Sequence, residues 1–310
     1  MASDIKLTFL GTGGSWPAPG RHLPALAIQI DDVLNLFDCG EGTQKQLMKS
    51  NFSFMRIKNI FITHFHGDHF LGLPGLIQSM SFNGRKEPLE IFGPEGVLDI
   101  IPRTLSLGYY SLSYKITVHE LAPSAVYDFG KFEIETLGND HTIPSLSYSI
   151  KEKDVMKIDG DKAKEIGIPS RKLEKLRSEG SVLFNGRTVF LSEVLKGKRR
   201  GRKIVYTGDT RPMESMVKFA HKADILIHDT TTDSSLEPLV NEYGHSSSRQ
   251  AAEIARDAEV KYLYLFHFSP RLDDLSTLLD EAKSVFPNSI LSRDLMEVSV
   301  KVSKEIIPVD

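Results

Sequence analysis

Ile5-Lys6-Leu7-Thr8-Phe9-Leu10 alternates apolar and polar positions before closing in Gly11-Thr12-Gly13-Gly14, the pattern of a strand with a tight exit turn. Short apolar runs at 25–30 and 33–37 predict two more strands, and a helix is expected over about 41–50. Asn59-Ile60-Phe61-Ile62-Thr63 reads as a buried strand. A helix over 71–82 follows, with Pro74 tolerated in its first turn. Further strands are predicted at 89–92, 114–120, 132–137 and 146–150. From residue 203 the pattern becomes strand 203–207, helix 213–221, strand 224–227, helix 248–258, strand 260–266 and helix 274–286. A strand-rich first half and a βαβα second half predict an α/β protein in which two sheets pack together with helices outside. No repeat of 20–50 residues and no low-complexity stretch interrupts this pattern.

Residues 151–203 do interrupt it. Apolar positions there are sparse, glycines recur, and 16 Lys and Arg stand against 8 Asp and Glu. The rest of the chain is acidic, so the overall net charge of −3 conceals a basic segment on an acidic body. That asymmetry suggests a localised handle for a polyanion. The run Lys196-Gly197-Lys198-Arg199-Arg200-Gly201-Arg202-Lys203 is its most basic part, and taken alone it would be read as a solvated hairpin tip. A length of 310 residues, 40% hydrophobic and 25% charged, suits one large or two smaller globular domains. No apolar run is long enough to span a bilayer, and 1–6 lack the basic and apolar regions of a secretory leader. Cys39 is the only cysteine, expected to be a small buried apolar residue in a reducing cytoplasm.

The chemistry concentrates in Thr63-His64-Phe65-His66-Gly67-Asp68-His69. Three imidazoles and a carboxylate at the end of a strand supply two adjacent ligand sets, suited to zinc and to two ions. A paired site needs more donors, including an anionic group that bridges the ions. His141, Asp209 and His267 each stand at the exit of a predicted strand, the edge where α/β active sites gather. The glycine loop at 11–14 is not a dinucleotide site, because Trp16 stands where the third glycine of that fingerprint belongs.

Taken together, these motifs resemble the metallo-β-lactamase superfamily and, within it, the ribonuclease Z family of tRNA 3′-processing endonucleases. The resemblance spans nearly the whole chain. Beyond the HxHxDH cluster it is carried by Phe9-Leu10-Gly11-Thr12-Gly13, by Phe37-Asp38-Cys39-Gly40-Glu41-Gly42-Thr43-Gln44 and by Gly72-Leu73-Pro74-Gly75-Leu76. Tyr206-Thr207-Gly208-Asp209-Thr210-Arg211-Pro212 and Gly244-His245-Ser246-Ser247 complete it. It implies a four-layer αββα sandwich over residues 1–310 with an inserted protruding arm at 151–203. It also implies two zinc ions per subunit, one on His64, His66 and His141, the other on Asp68, His69 and His267, with Asp209 bridging. Asp68 would orient and deprotonate water, and His245 would donate a proton to the leaving oxygen. Asp38 would support ligand orientation from behind. His228-Asp229-Thr230-Thr231 resembles the family's His-Glu-Ala-Thr signature with aspartate in place of glutamate. His22, His119, His221 and His228 match no ligand position.

The implied activity is removal of 3′ trailers from precursor tRNA, leaving a tRNA 3′-hydroxyl and a trailer 5′-phosphate. The basic arm would be an exosite for the tRNA backbone, and the family's usual assembly is a cytoplasmic homodimer. The ligand pattern also admits a hydrolase of a small thioester, lactone or phosphodiester on the same scaffold. A noncatalytic tRNA-binding protein fits less well, because buried imidazoles and carboxylates without a metal would be left unsatisfied.

Overall fold

The structure, a computed structural model, describes residues 4–302. Two seven-stranded sheets carry residues 4–151 and 203–301. One runs in the order Glu297–Val300, Ile5–Gly11, Ala25–Ile30, Val33–Phe37, Ile57–Phe61, Leu89–Gly93, Ile116–Glu120. Its first four strands pair antiparallel, and the remainder join Val33–Phe37 in parallel. The other runs Ser289–Leu291, Tyr262–Phe266, Ile225–Asp229, Lys203–Tyr206, Leu146–Glu152, Phe132–Gly138, Val126–Asp128. Its first four strands are parallel and Leu146–Glu152 pairs antiparallel with Lys203–Tyr206.

Strand alternation decides which side chains meet. Ile5, Leu7 and Phe9 point into a core shared with Tyr148, Tyr206, Ile225, Ile227 and Phe266 of the opposite sheet. Phe37, Phe61 and Phe92 stack across three neighbouring strands, with ring centroids 4.9 and 4.8 Å apart. The outer face of the first sheet is covered by the helices Thr43–Lys49, Leu73–Phe82 and Val97–Leu105. Glu214–Ala220, Ser248–Asp257 and Ser276–Val285 cover the outer face of the second. The result is the αββα sandwich implied by the motifs. Burial pushes the Cys39 thiol up, so this side chain is a packing residue rather than a nucleophile.

The predicted elements of the sandwich are present, with ends shifted by a few residues. Two strands at the chain's end, Ser289–Leu291 and Glu297–Val300, escape the sequence reading, as do Val126–Asp128 and the helices Val97–Leu105 and Glu237–Glu242. Pro102 inside Val97–Leu105 hides that helix. Three- and four-residue strands are too short to show a period.

Residues 152–202 form a separate compact unit. The strand Val155–Ile158 pairs antiparallel with Leu195–Arg199, and Ser181–Phe184 pairs with Arg187–Phe190. The helices Gly160–Ile166 and Ser170–Glu179 lie between these ribbons in sequence. Asp159 caps the first by accepting from the Asp161 and Lys162 N–H groups. A small cluster of Ala163, Ile168, Leu176, Val182, Val189 and Val194 is the unit's core. The basic run at 196–203 is therefore no hairpin tip. Arg202 is buried in a two-point ion pair with Glu152 at 3.0 and 2.8 Å, and Lys198 lies 2.9 Å from Asp154.

Candidate metal centre

Seven side chains distant in sequence converge at strand ends in the sandwich. His64, His66, Asp68 and His69 follow Ile57–Phe61; His141 follows Phe132–Gly138; Asp209 follows Lys203–Tyr206; His267 follows Tyr262–Phe266. His64, His66, His141 and Asp209 bring one donor atom each within 4.8 Å of one another, as do Asp68, His69 and His267. Asp209 joins the sets: its carboxylate oxygens lie 3.5 Å from His64 Nε2, 3.4 Å from His69 Nε2 and 3.3 Å from His267 Nε2. Other spacings are 3.2 Å between His66 Nδ1 and His141 Nε2 and 3.4 Å between His267 Nε2 and Asp68. Donors about 2.0–2.1 Å from one tetrahedral ion lie about 3.3–3.4 Å apart, and these spacings match that expectation.

The outer nitrogens of His69 and His141 are fixed from behind. Asp38 Oδ2 accepts from His69 Nδ1 at 2.8 Å and from the Tyr206 hydroxyl at 2.7 Å, while Asp38 Oδ1 accepts from the Thr63 N–H at 2.8 Å. His141 Nδ1 donates to the Gly244 carbonyl at 2.9 Å, which turns Nε2 to the centre. A Cβ on Gly244 would sit 2.4 Å from His141 Nδ1, so only glycine permits this approach. At the other side, a Cβ on Gly14 would sit 2.3 Å from the His267 ring, and the next N–H, of Ser15, donates to Asp68 at 2.7 Å. The glycine loop at 11–14 is thus a close-fitting wall of the centre. Asp38 and His267 both hold left-handed backbone conformations, with φ of 55° and 65°, a strain retained where it aims side chains.

Electrostatics agree with a cation site. Burial drives the His64, His66 and His141 pKa values down, leaving neutral rings able to donate lone pairs. Burial would also discharge His69, but Asp209, Asp68 and Asp38 outweigh it and hold its pKa well above the usual imidazole value. Burial favours the neutral forms of Asp209 and Asp68, yet the surrounding histidines hold both carboxyls well below the usual range. His64 Nε2 and Asp209 Oδ1 are buried without a hydrogen-bond partner. Such orphaned atoms are costly in a protein interior unless something else satisfies them, and divalent cations fit.

His245 stands beside this cluster. Its Nδ1 lies 2.9 Å from Asp229 Oδ2, so the shorter acid does reach it, and Nε2 remains for another partner. Burial opposes protonation, but the charge and hydrogen bond of Asp229 raise His245 to about 9. The following serines lock the loop: Ser246 Oγ donates to the Thr210 carbonyl at 2.7 Å, and Ser247 caps Ser248–Asp257 in a capping box with Gln250. Arg211 ties the His141 loop to the same segment, donating to Asp140 Oδ1 at 2.8 Å and to the Glu242 carbonyl at 2.9 Å. The sequence reading overlooked Arg211, Tyr206 and Ser15, although the first two sit inside the Tyr206-to-Pro212 motif. The other histidines lie elsewhere: His22 faces Asp294 at 2.8 Å, His119 faces Glu90 at 2.6 Å, and His228 bonds the Asp229 carbonyl at 2.9 Å. His221 ends the helix Glu214–Ala220.

Comparison with known proteins identifies the family. The family described as "Beta-lactamase superfamily domain" matches residues 184–268, and that described as "Anti-Pycsar protein Apyc1" matches residues 5–180. Ribonuclease Z of Thermoplasma volcanium is 60% identical over 97% of this chain and 99% of its own length. Ribonuclease Z of Thermoplasma acidophilum is 59% identical over 99% of this chain and 100% of its own. The crystal structure of human tRNase Z, short form, superposes with a TM-score of 0.71 at 32% identity, covering 96% of this chain and 100% of that one. YhfI from Bacillus subtilis, at 20% identity and a TM-score of 0.70 over 96% of this chain and 99% of that one, shares the fold. By its matched sequence, its fold and its motifs, the chain belongs to the ribonuclease Z family of the metallo-β-lactamase superfamily.

Proposed function

We propose that this protein is a zinc-dependent endoribonuclease that cuts 3′ trailers from precursor tRNA by hydrolysis. The observation that carries the reading is the Asp209-centred cluster with the His245–Asp229 pair at its edge, in a member of the ribonuclease Z family. His64, His66 and His141 would hold one zinc, Asp68, His69 and His267 the other, and Asp209 both. Bound there, the two ions would supply positive charge against the phosphoryl oxygens and make hydroxide available near neutral pH.

The chain's own residues handle the protons. Asp68, held by the Ser15 N–H at 2.7 Å, orients the attacking water and accepts its proton. His245, kept protonated by Asp229, gives a proton from Nε2 to the leaving ribose O3′. Water's oxygen joins phosphorus as the P–O3′ bond breaks, which leaves a tRNA 3′-hydroxyl and a trailer 5′-phosphate. His141 and His69 keep their Nε2 atoms on the centre because Gly244 and Asp38 hold the Nδ1 atoms from behind.

Residues 152–202 serve in this reading as the tRNA exosite, gripping phosphates by shape and charge. Arg171 and Arg177 on the helix Ser170–Glu179, with Lys162 and Lys164, are exposed, whereas Lys198 and Arg202 of the 196–203 run are engaged in internal ion pairs. The active form is a cytoplasmic homodimer, for which sedimentation of the purified protein is the direct reading. The test of function is to map product ends from a 3′-extended tRNA with and without an encoded CCA. A 3′-hydroxyl and a 5′-phosphate at one cut supports it. Persistent cleavage by Asp209→Ala after exhaustive chelation rejects the two-metal mechanism.

A further inference from the structure

A groove of about 660 Å³ opens beside His245, and apart from His245 and Ser15 its lining has no part in the chemistry described so far. That volume suits one small ligand or one nucleoside. One wall presents Leu236, Leu239 and Tyr243, large apolar side chains that are 43%, 49% and 62% exposed. They come from the short helical turns Ser234–Leu236 and Glu237–Glu242 and the residue after them. The lining also includes Arg271, four residues after His267, with its guanidinium carbon 4.9 Å over the Trp16 ring. Stacking on Trp16 holds a planar cation in place without a carboxylate to neutralise it, and Arg271 makes no ion pair among the described residues. Exposed apolar surface in one groove with a fixed guanidinium and His245 suits a recognition surface rather than a packing defect.

We propose that this groove binds the nucleoside on the leaving side of the scissile phosphate, with its base packed on Tyr243 and the two leucines and its 5′-side phosphate held by Arg271. The assignment rests on the endoribonuclease reading of the same site. His245 Nδ1 is occupied by Asp229, so its proton leaves from Nε2. The ribose bearing the departing O3′ must therefore lie against His245, and its base is one glycosidic bond away. Stacking on an aromatic ring accepts any base, because every base has a π-face. The groove thus selects for an unpaired nucleotide at this position rather than for a particular sequence.

Two measurements test the assignment. The first compares kcat/KM on a 3′-extended tRNA carrying either a normal or an abasic residue immediately before the cut. Wild type should lose about tenfold or more on the abasic substrate. Tyr243→Ala should lose a similar factor on the normal substrate and little further on the abasic one, with Tyr243→Phe restoring the difference. Equal losses on both substrates, or a wild type indifferent to the base, would overturn the proposal. The second needs no turnover. Trp16 is the only tryptophan and is 46% exposed, so its emission reports on the Arg271 side of the groove. A short single-stranded oligoribonucleotide should change that emission at a concentration about tenfold or more below that required by an abasic oligomer of equal length. Indistinguishable titrations would sink the proposal. Failure of wild type to cut the extended tRNA would instead reject the endoribonuclease reading, and the titration then decides the groove alone.

Discussion

The centre of the sandwich and the unit at 152–202 are built from different materials, and in the proposed function they meet different physical demands. At the centre, His64, His69, Asp209 and His267 are buried; Asp38, itself held by Thr63 and Tyr206, fixes the His69 ring, and Gly14 and Gly244 pack closely on His267 and His141. In the basic unit the buried apolar cluster comprises six small or medium side chains, and most charged groups lie at the surface. Hydrolysis needs atoms held to fractions of an ångström, which packed strand ends provide. A grip on phosphates acts over a Debye length of about 8–10 Å and tolerates flexible side chains on a modest core. A chain can therefore lose much of one region's function without disturbing the other's.

The sharpest way to break that separation is Asp209→Ala. Its carboxylate lies within 3.5 Å of three histidine nitrogens, so its loss should lower bound metal and reduce hydrolysis of both precursor tRNA and a small aryl phosphodiester. A loss of several kcal/mol of charge stabilisation corresponds to about 10³-fold or more in rate. Metal analysis of the purified variant, paired with both assays, reads this directly. Next in size is His245→Ala, for which about 10²–10⁴-fold is expected on RNA. An aryl ester with an acidic leaving group needs less help from a proton donor, so its loss should be much smaller. Equal losses on the two substrates would remove His245 from the proton-donor role.

Deleting about residues 155–195 asks the opposite question. Precursor-tRNA processing should fall by about 10²-fold at physiological salt, because several backbone phosphates are no longer gripped. Hydrolysis of the small aryl ester should persist, because none of the seven clustered residues lies in the deleted segment. Equal loss of both activities would show that the segment supports the fold of the centre instead of binding RNA.

Asp229 gives a smaller effect with a definite sign. His245 must be protonated to serve as the acid, so activity falls as pH rises through its pKa. Asp229 raises that pKa to about 9 against the effect of burial. Asp229→Asn should therefore move the alkaline decline to lower pH by about one unit or more. Cations at the centre push the whole profile downward but leave this sign unchanged. An unchanged alkaline limb would assign the decline to another group.

What the sequence disclosed follows the same division. The sandwich was legible because its strands alternate and its helices bury one face, as in the alanines of Ser248–Asp257 packed on the second sheet. The cluster at 64–69 was legible because imidazoles at that spacing have few structural uses. Partners brought in by topology were harder to see. Ser15 touches Asp68 through a backbone N–H, which leaves no trace in residue type. The groove at Tyr243 and Arg271 joins segments whose side chains are ordinary surface residues until the fold sets them beside His245. The 196–203 run misled for a related reason. Its charges were countable, but the burial of Arg202 against Glu152 and the pairing of Lys198 with Asp154 depend on partners 50 and 44 residues back in the sequence.

That last difference makes the finest test within the basic unit itself. Arg171 and Arg177 lie on the exposed face of Ser170–Glu179 and make no ion pair among the described residues. Lys198 sits 2.9 Å from Asp154 and is half-buried. A charge that already has a carboxylate partner releases few counterions when RNA arrives, whereas a solvated one acts at full strength. Replacing Arg171 and Arg177 with Gln should thus weaken precursor-tRNA binding uniformly across tRNA sequences. The slope of log affinity against log salt should fall by about one for each phosphate left without its arginine. Lys198→Gln should leave the slope nearly unchanged and act, if at all, through the unit's own stability, since exposed or half-exposed pairs contribute about 0–1 kcal/mol. If Lys198→Gln carried the larger slope change, the RNA-facing charge would belong to the strand Leu195–Arg199 rather than to the helix, and the exosite would have to be redrawn around it.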